Sequence, residues 1–293
     1  MIHRSGFVNI IGSPNVGKST LMNQLVGQRL SIITSKAQTT RHRIMGIVNE
    51  EDFQIVYSDT PGILDPKYKL QEGMMRFVYT ALQDADVLLW VTEVNENKAK
   101  HTDLIERLSK LDIPIFILVN KIDESDQANM EKKLLYWQKV LPNAKVAPIS
   151  ALHKFNTDKL LDAVVKALPE GPPYFPKDEL TDKPMRFFMA EIIREKILMH
   201  YKQEIPYSCE VIIEEYKVSP DLVRIRAVIM VARDSQKGIL IGHQGNMLKR
   251  VGTEARIDME AFIANKVFLQ MFVKVDKNWR DDERKLKRYG YFD

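Results

Sequence analysis

FVNIIGSPNVGKSTLMNQLV, residues Phe7 to Val26, reads as a buried strand, a glycine-bearing loop and the opening of a helix. Gly12 to Ser19 match the pattern G-x-x-x-x-G-K-[ST], whose strand and helix context is present on both sides. Gly12 and Gly17 let the backbone curl so that successive amides face one centre, where the helix N-terminus adds partial positive charge. A polyphosphate is the natural occupant, cradled by Gly12, Ser13, Pro14, Asn15, Val16, Gly17, Lys18, Ser19 and Thr20. Lys18 would reach the β- and γ-phosphates, and the Ser19 hydroxyl would ligate the bridging magnesium.

Two further tetrapeptides follow in order, each after a strand-like run. Asp59-Thr60-Pro61-Gly62 succeeds Phe53 to Ser58, so Asp59 stands at the carboxyl end of a strand, where open α/β sheets bind ligands. Its carboxylate would orient a magnesium-bound water, and the Gly62 amide would approach the γ-phosphate. Asn120-Lys121-Ile122-Asp123 succeeds Ile113 to Val119. Asp123 would accept from the two donors on guanine; adenine would leave that carboxylate unpaired. Asn120 would brace the loop and touch the base edge, and the Lys121 stem would cover one base face. Ser150, Ala151 and Leu152 follow the strand-like Lys145 to Ile149, with the Ala151 amide aimed at guanine O6. Between the first two motifs, Ser31 to His42 is polar and lacks a core pattern, as expected of a loop ordered by the γ-phosphate and magnesium. Thr40 is the preferred magnesium ligand there, with Thr39 the runner-up. The set describes a GTP/GDP site in a GTPase, with magnesium on Ser19, Thr40 and Asp59 and with Lys18, Thr40, Gly62 and Asn15 nearest the chemistry.

Outside these motifs, residues 1–168 alternate strand and helix patterns, which defines an α/β P-loop NTPase fold with a mostly parallel sheet and helices on both faces. The next stretch, residues 169–184, carries five prolines and reads as a semi-rigid linker, with a second domain over residues 185–293. At 293 residues the chain can bury two cores. Its one cysteine, Cys209, precludes an internal disulfide and suits a reducing compartment as a core filler. No apolar run approaches a membrane span and the N-terminus leads straight into a strand, so the expected location is the cytoplasm.

The second domain reads α-β-β-α-α-β: a helix over Met185 to Tyr201, strands over Tyr207 to Tyr216 and Leu222 to Ala232, a short helix over Gln236 to Ile241, a longer one over Asn246 to Ala264, and a final strand over Lys266 to Val275. A G-x-x-G turn, Gly242-His243-Gln244-Gly245, sits between the two middle helices, which is the α+β type II KH arrangement. There the glycine turn would let two helix ends approach the backbone of single-stranded RNA. Ile239, Leu240 and Ile241 would build the base groove, and Lys237, Gly238, Lys249, Arg250 and Arg256 lie close enough in sequence to meet phosphates. Residues 185–293 carry 20 basic against 16 acidic side chains, a modest preference for an anionic partner. Asp281 to Arg288 read as a solvated helix end.

GSPNVGKSTLMNQLVG, KAQTTRHRI at Lys36 to Ile44, DTPG, NKID, KGILIGHQGNMLKRVGTEAR at Lys237 to Arg256 and the terminal WRDDERKLKRYGY together resemble the bacterial Era GTPases, from about residue 5 to the end. That resemblance implies a Ras-like G domain joined to a KH domain that binds the 3′ end of 16S ribosomal RNA during 30S subunit assembly, in a monomer. It also implies that Thr40 is the magnesium ligand. A peripheral seat at the inner membrane face stands beside the cytoplasmic expectation.

Ile63 departs from Ras-like proteins, many of which place a water-orienting glutamine after this motif. Slow intrinsic hydrolysis follows, with the water positioned by backbone, a partner or a cation. Asn15 resembles the asparagine that coordinates potassium in related cation-activated GTPases, against the plainer role of bracing its loop. Two other classes stay open at this level. One is an adaptor whose second domain binds protein. The other is a membrane-surface GTPase using Met185 to Tyr201, disfavoured because that helix alternates acids and bases on its polar face.

Overall fold

The computed structural model describes residues 3–96 and 101–292. They form two compact units, the first comprising Met1–Ser31, Thr40–Pro66 and Met74–Asp182, the second Ile32–Thr39, Lys67–Gly73 and Lys183–Asp293.

The first unit is built on a six-stranded sheet. Its strands are β1 (Arg4–Gly12), β2 (Ile44–Asn49), β3 (Phe53–Asp59), β4 (Val87–Glu93), β5 (Ile115–Asn120) and β6 (Lys145–Pro148), in the order β2-β3-β1-β4-β5-β6. All neighbours run parallel except β2 and β3. β1, β3, β4 and β5 are near-continuous apolar runs because both sheet faces are covered, by α1 (Lys18–Val26), α2 (Lys69–Gln83), α3 (Thr102–Ser109), α4 (Gln127–Val140) and α5 (Thr157–Ala167). Val8, Ile10, Leu88, Leu89, Ile117 and Leu118 are fully buried in that sheet. β2 is an element the residue pattern did not announce. It closes a hairpin with β3 through Glu50 N to Phe53 O at 2.9 Å, and its Gly46 lies where a Cβ would meet Val26 and Met22 at 2.7 and 2.8 Å. The proline-rich stretch is fixed along the same unit: Ser5 Oγ donates to Pro172 O at 2.6 Å, Gln54 Nε2 to Phe175 O at 2.7 Å, and Ile47 N to Leu180 O at 2.9 Å. Residues 169–182 are thus bound along the first unit, where a semi-rigid linker over residues 169–184 was expected.

The second unit carries a three-stranded sheet, β7 (Cys209–Ser219), β8 (Leu222–Val231) and β9 (Val267–Val275), in that order. β7 and β8 are antiparallel; β8 and β9 are parallel. One face packs under α6 (Met185–His200), α7 (Asp234–Ile241) and α8 (Asn246–Ile263) through Val211, Val223, Ile225, Ala227, Ile229 and Val267. The chain ends in α9 (Glu283–Arg288), capped by the Asp282 side chain, which accepts from Arg284 N and Lys285 N. Lys287 and Arg288 are exposed, as a solvated helix end requires, while Leu286 is buried.

The amphipathic reading of α6 is corrected here. Phe188, Met189, Ile192, Ile193, Ile197 and Leu198 are buried while Met185 and Met199 are exposed, and Glu191, Arg194, Glu195 and Lys196 are buried too, at 6, 1, 1 and 7% exposure. Arg194 binds Glu191 at 2.7 and 2.6 Å, and Lys196 binds Asp258 at 2.5 Å, so the alternation of acids and bases is internal pairing and not a solvated face. Arg194 also donates to the carbonyl oxygens of Thr39 and, at 3.5 Å, Gln38. Lys36 Nζ donates to Tyr201 O, and Tyr68 Oη to Gln38 at 3.2 Å. Residues 32–39, expected to be ordered around phosphate and magnesium, are therefore gripped by α6 within the second unit.

Among the described residues no helix is long and apolar enough to cross a membrane.

Candidate functional site

The phosphate loop runs from the end of β1 into α1. Gly12 has φ +149°, and a Cβ there would meet Val91 O at 2.1 Å; Gly17 has φ +98°, and a Cβ would meet Asn120 Nδ2 at 2.2 Å. Neither position accepts a side chain. Lys18 is folded into the loop, its Nζ donating to Gly12 O at 3.0 Å and Ser13 O at 2.8 Å. Burial pushes its ammonium down to about 8, against the attraction of Asp59 and Glu96. A phosphate arriving there would favour the charged ammonium and raise its pKa.

Asp59, at the C-terminal end of β3, is fully buried. Its Oδ2 accepts from Ser19 Oγ at 2.6 Å and Thr40 Oγ1 at 3.1 Å, and those two hydroxyls lie 2.9 Å apart. Its Oδ1 is buried without a hydrogen-bond partner among the described residues. Burial raises the carboxyl pKa, opposed first by the Ser19 hydrogen bond and then by Lys18. An orphaned, desolvated oxygen beside two converging hydroxyls fits a hard divalent cation. Ser19, Asp59 and Thr40 would hold magnesium, whose charge would neutralise the phosphates; the runner-up Thr39 instead accepts from Thr34 and donates to Lys36 O at 2.6 Å.

The DTPG segment closes against the loop. Thr60 Oγ1 donates to Ile10 O at 2.7 Å and Ile63 N to Gly12 O at 3.1 Å. A Cβ on Gly62 would come within 2.7 Å of Pro14 Cα, so only glycine permits this approach. Ile63 is 5% exposed and belongs to the apolar cluster that includes Ile11, Met75, Val78 and Trp90. Asn15 is exposed with φ 64°, in the left-handed region.

On the base side, Asn120 is the brace: Nδ2 donates to Val16 O at 2.7 Å and Oδ1 accepts from Ala151 N at 2.9 Å. The Ala151 amide, expected to face guanine O6, is thus engaged by Asn120, because a buried N–H takes the nearest acceptor. Lys121 pairs with Glu93 at 2.6 Å. Asp123 accepts from Ser150 Oγ at 2.5 Å, which holds its carboxyl below the ordinary range and keeps it ionised for a donor pair. Leu152 is 70% exposed.

Residue patterns missed Glu96. Its carboxylate accepts from Ser13 Oγ and, at 2.5 Å, from Thr92 Oγ1, and it borders a cleft of about 880 Å³ lined also by Pro14, Ile63 and His101. No local motif marks it; only the β4 register brings it to the loop.

In the second unit, Gly242 (φ 72°) and Gly245 (φ 77°) flank exposed His243 and Gln244. A cleft of about 370 Å³ begins at Gly245 and runs between α8 and β9, lined by Leu248, Lys249, Gly252, Arg256, Leu269 and Met271. Gly252 lets the helix approach the strand, since a Cβ there would touch Met271 Cε at 2.7 Å. Lys249 and Arg256 line this cleft, the latter paired with Glu260 at 2.8 Å. Leu240, expected in the groove wall, is fully buried, and Leu269 and Met271 of β9 line this cleft. Ile239 is 51% exposed on α7, beside Lys237 and Gly238, and Arg250 pairs with Glu254 at 3.2 Å. Strand pairing put β9 at the groove, and nothing local to the G-x-x-G turn announced it.

A phosphate loop on a Ras-like sheet, a guanine-selecting loop and a KH fold define a GTP-binding and GTP-hydrolysing protein with a nucleic-acid-binding module. Residues 7–121 match the family described as 50S ribosome-binding GTPase and residues 204–280 the KH domain. The chain is 43% identical to GTPase Era of Clostridium kluyveri over 290 residues, covering 98% of this chain and 99% of that one. It is 44% identical to GTPase Era of Geobacter metallireducens over 291 residues, covering 98% of each. A crystal structure of Era in complex with MgGDPNP and nucleotides 1506–1542 of 16S ribosomal RNA matches with a TM-score of 0.94 and 38% identity, covering 99% of both chains. The chain belongs to the Era GTPase family.

Proposed function

We propose that this protein is a slow GTP-driven switch that binds the 3′ end of 16S ribosomal RNA through its KH cleft and acts in 30S subunit assembly, in the cytoplasm and as a monomer. The observation that carries the reading is one chain holding both a cation-ready Ser19, Thr40 and Asp59 cluster and a KH cleft of basic and apolar lining, in a fold matched over 99% of its length by an Era that holds MgGDPNP and 16S RNA. Lys18 binds phosphate, Asp123 selects guanine, and Lys249 and Arg256 meet the RNA backbone while Leu248, Leu269 and Met271 shelter bases. Hydrolysis is slow because Ile63 is committed to the core and cannot orient water. Exposed Asn15 is the residue through which potassium would accelerate it; equal rates in sodium and potassium would exclude that role. α6, the segment considered for a lipid surface, has Phe188, Met189 and residues 191–198 buried, which leaves no broad apolar face for lipid.

The test is RNA affinity measured with GDP, with GDPNP and without nucleotide. A nucleotide effect on RNA affinity must reappear equally as an RNA effect on nucleotide affinity. Identical RNA affinities in all three states would refute the switch.

A further inference from the structure

The face of the KH sheet turned away from its helices is unevenly covered. Alternation along β9 sends Val267, Leu269, Met271 and Val273 to the helix side and Phe268, Gln270, Phe272 and Lys274 to the other. Near β7's start the outer face is covered: Glu210, paired in register with Met230, accepts from Tyr291 Oη at 2.8 Å, and the fully buried Trp279 donates to Ser208 O at 3.3 Å. Toward the other end the cover stops. Phe268 and Phe272 are 44% and 47% exposed, on an edge strand with no further neighbour.

What surrounds those rings is basic. The register sets Arg224 opposite Phe268 and Arg226 opposite Gln270, and the Arg224 guanidinium lies over the Phe268 ring at 5.4 Å from its centroid. Among the described residues Arg226 makes no ion pair, while Lys274 is offset by Glu214 at 3.0 Å. Exposed phenylalanines four residues apart on a strand, about 13 Å from end to end, with guanidinium groups between strands, suit unstacked bases and phosphates.

We infer that the outer face of β8 and β9 is a second RNA platform, which takes the single-stranded nucleotides leaving the KH cleft across the β9 edge. The inference rests on the RNA reading above. A KH cleft clamps about four nucleotides, so any longer strand must leave it. The strand that walls the cleft with Leu269 and Met271 presents Phe268 and Phe272 on its reverse, which makes the two surfaces continuous around one edge. Bases would stack on Phe268, Phe272 and the Arg224 plane, and Arg226 would meet the backbone.

The test uses the full chain and RNA of nucleotides 1506–1542, with the shortest truncation of it that wild type still binds. Phe268→Ser with Phe272→Ser should weaken the long RNA at least about fivefold and the short one less than about twofold, since each lost stack is worth that much or more. Arg226→Gln, which leaves both rings in place, should lower the salt slope for the long RNA only. A loss under fivefold on the long RNA, or an equal loss on both, overturns the platform. So does a dimer in wild type that the phenylalanine variants dissolve without change in RNA affinity, which would assign the face to a second copy. Gly245→Asp separates the two readings: if it spares both RNAs, the cleft reading itself fails.

Discussion

Replacing Arg194 by methionine removes the guanidinium but keeps much of the aliphatic volume, so the consequence is electrostatic. Arg194 is 1% exposed and holds Glu191 through two bonds at 2.7 and 2.6 Å, with donation to the carbonyl oxygens of Thr39 and Gln38. Removing one partner of a buried pair strands the other charge, a loss of about 3–5 kcal/mol. The double variant Glu191→Leu with Arg194→Met strands no charge and forfeits only the carbonyl bonds, about 1–3 kcal/mol. With two units in one chain, global unfolding is a poor gauge, so the measurement is hydrogen exchange of α6 amides, which reports their opening free energy directly. At about 1.4 kcal/mol per decade, the single variant should exchange two to three and a half decades faster than wild type, and the double variant at least one decade slower than the single. Acceleration below tenfold in the single variant, or a double variant no better protected, would refute the assignment of Arg194 as the residue that fixes residues 38 and 39.

Other outcomes follow from the nucleotide site. Asp59→Asn should raise the thermal midpoint of the nucleotide-free protein, because a desolvated carboxylate with an orphaned oxygen is neutralised, and lower magnesium-dependent GTP affinity at least about a hundredfold by titration calorimetry. Lys18, depressed to about 8, should take up about half a proton when GTP binds at pH 8, read from calorimetry in buffers of different ionisation enthalpy. Because its folded pKa lies below its unfolded value, Lys18 opposes folding fully below pH 8, and nucleotide-free stability should climb between pH 8 and 10.5. Gly62→Ala meets Pro14 backbone at 2.7 Å and should cost about 1–3 kcal/mol with a loss of GTP affinity; Gly252→Ala meets only the flexible end of Met271 at the same distance, so chemical denaturation should show under about 1 kcal/mol.

The nucleotide site was legible because phosphate chemistry demands particular backbones: Gly12 and Gly17 cannot carry side chains, and the loop needs a strand before it and a helix after it. Asp59 was marked by its place at the end of a strand, and Thr40 by its polar loop and the family resemblance; the structure brings both beside Ser19. What escaped was set by long-range pairing. β2 was missing from the strand-like runs because its hairpin with β3 is what makes Ile44–Asn49 a strand. The burial of Glu191, Arg194 and Lys196 was invisible because their partners, Thr39 and Asp258 among them, lie far away in sequence. The place of Leu269 and Met271 along the cleft went unread, because it follows from the parallel pairing of β9 with β8.

The peptide bond between Thr39 and Thr40 joins a carbonyl clasped by Arg194 to a hydroxyl aimed at the Asp59 carboxylate. One backbone link thus serves two masters. A lesion anywhere in the Glu191 and Arg194 clasp should surface as a defect in nucleotide handling, so a genetic screen for altered GTP response would return α6 positions as readily as phosphate-loop ones.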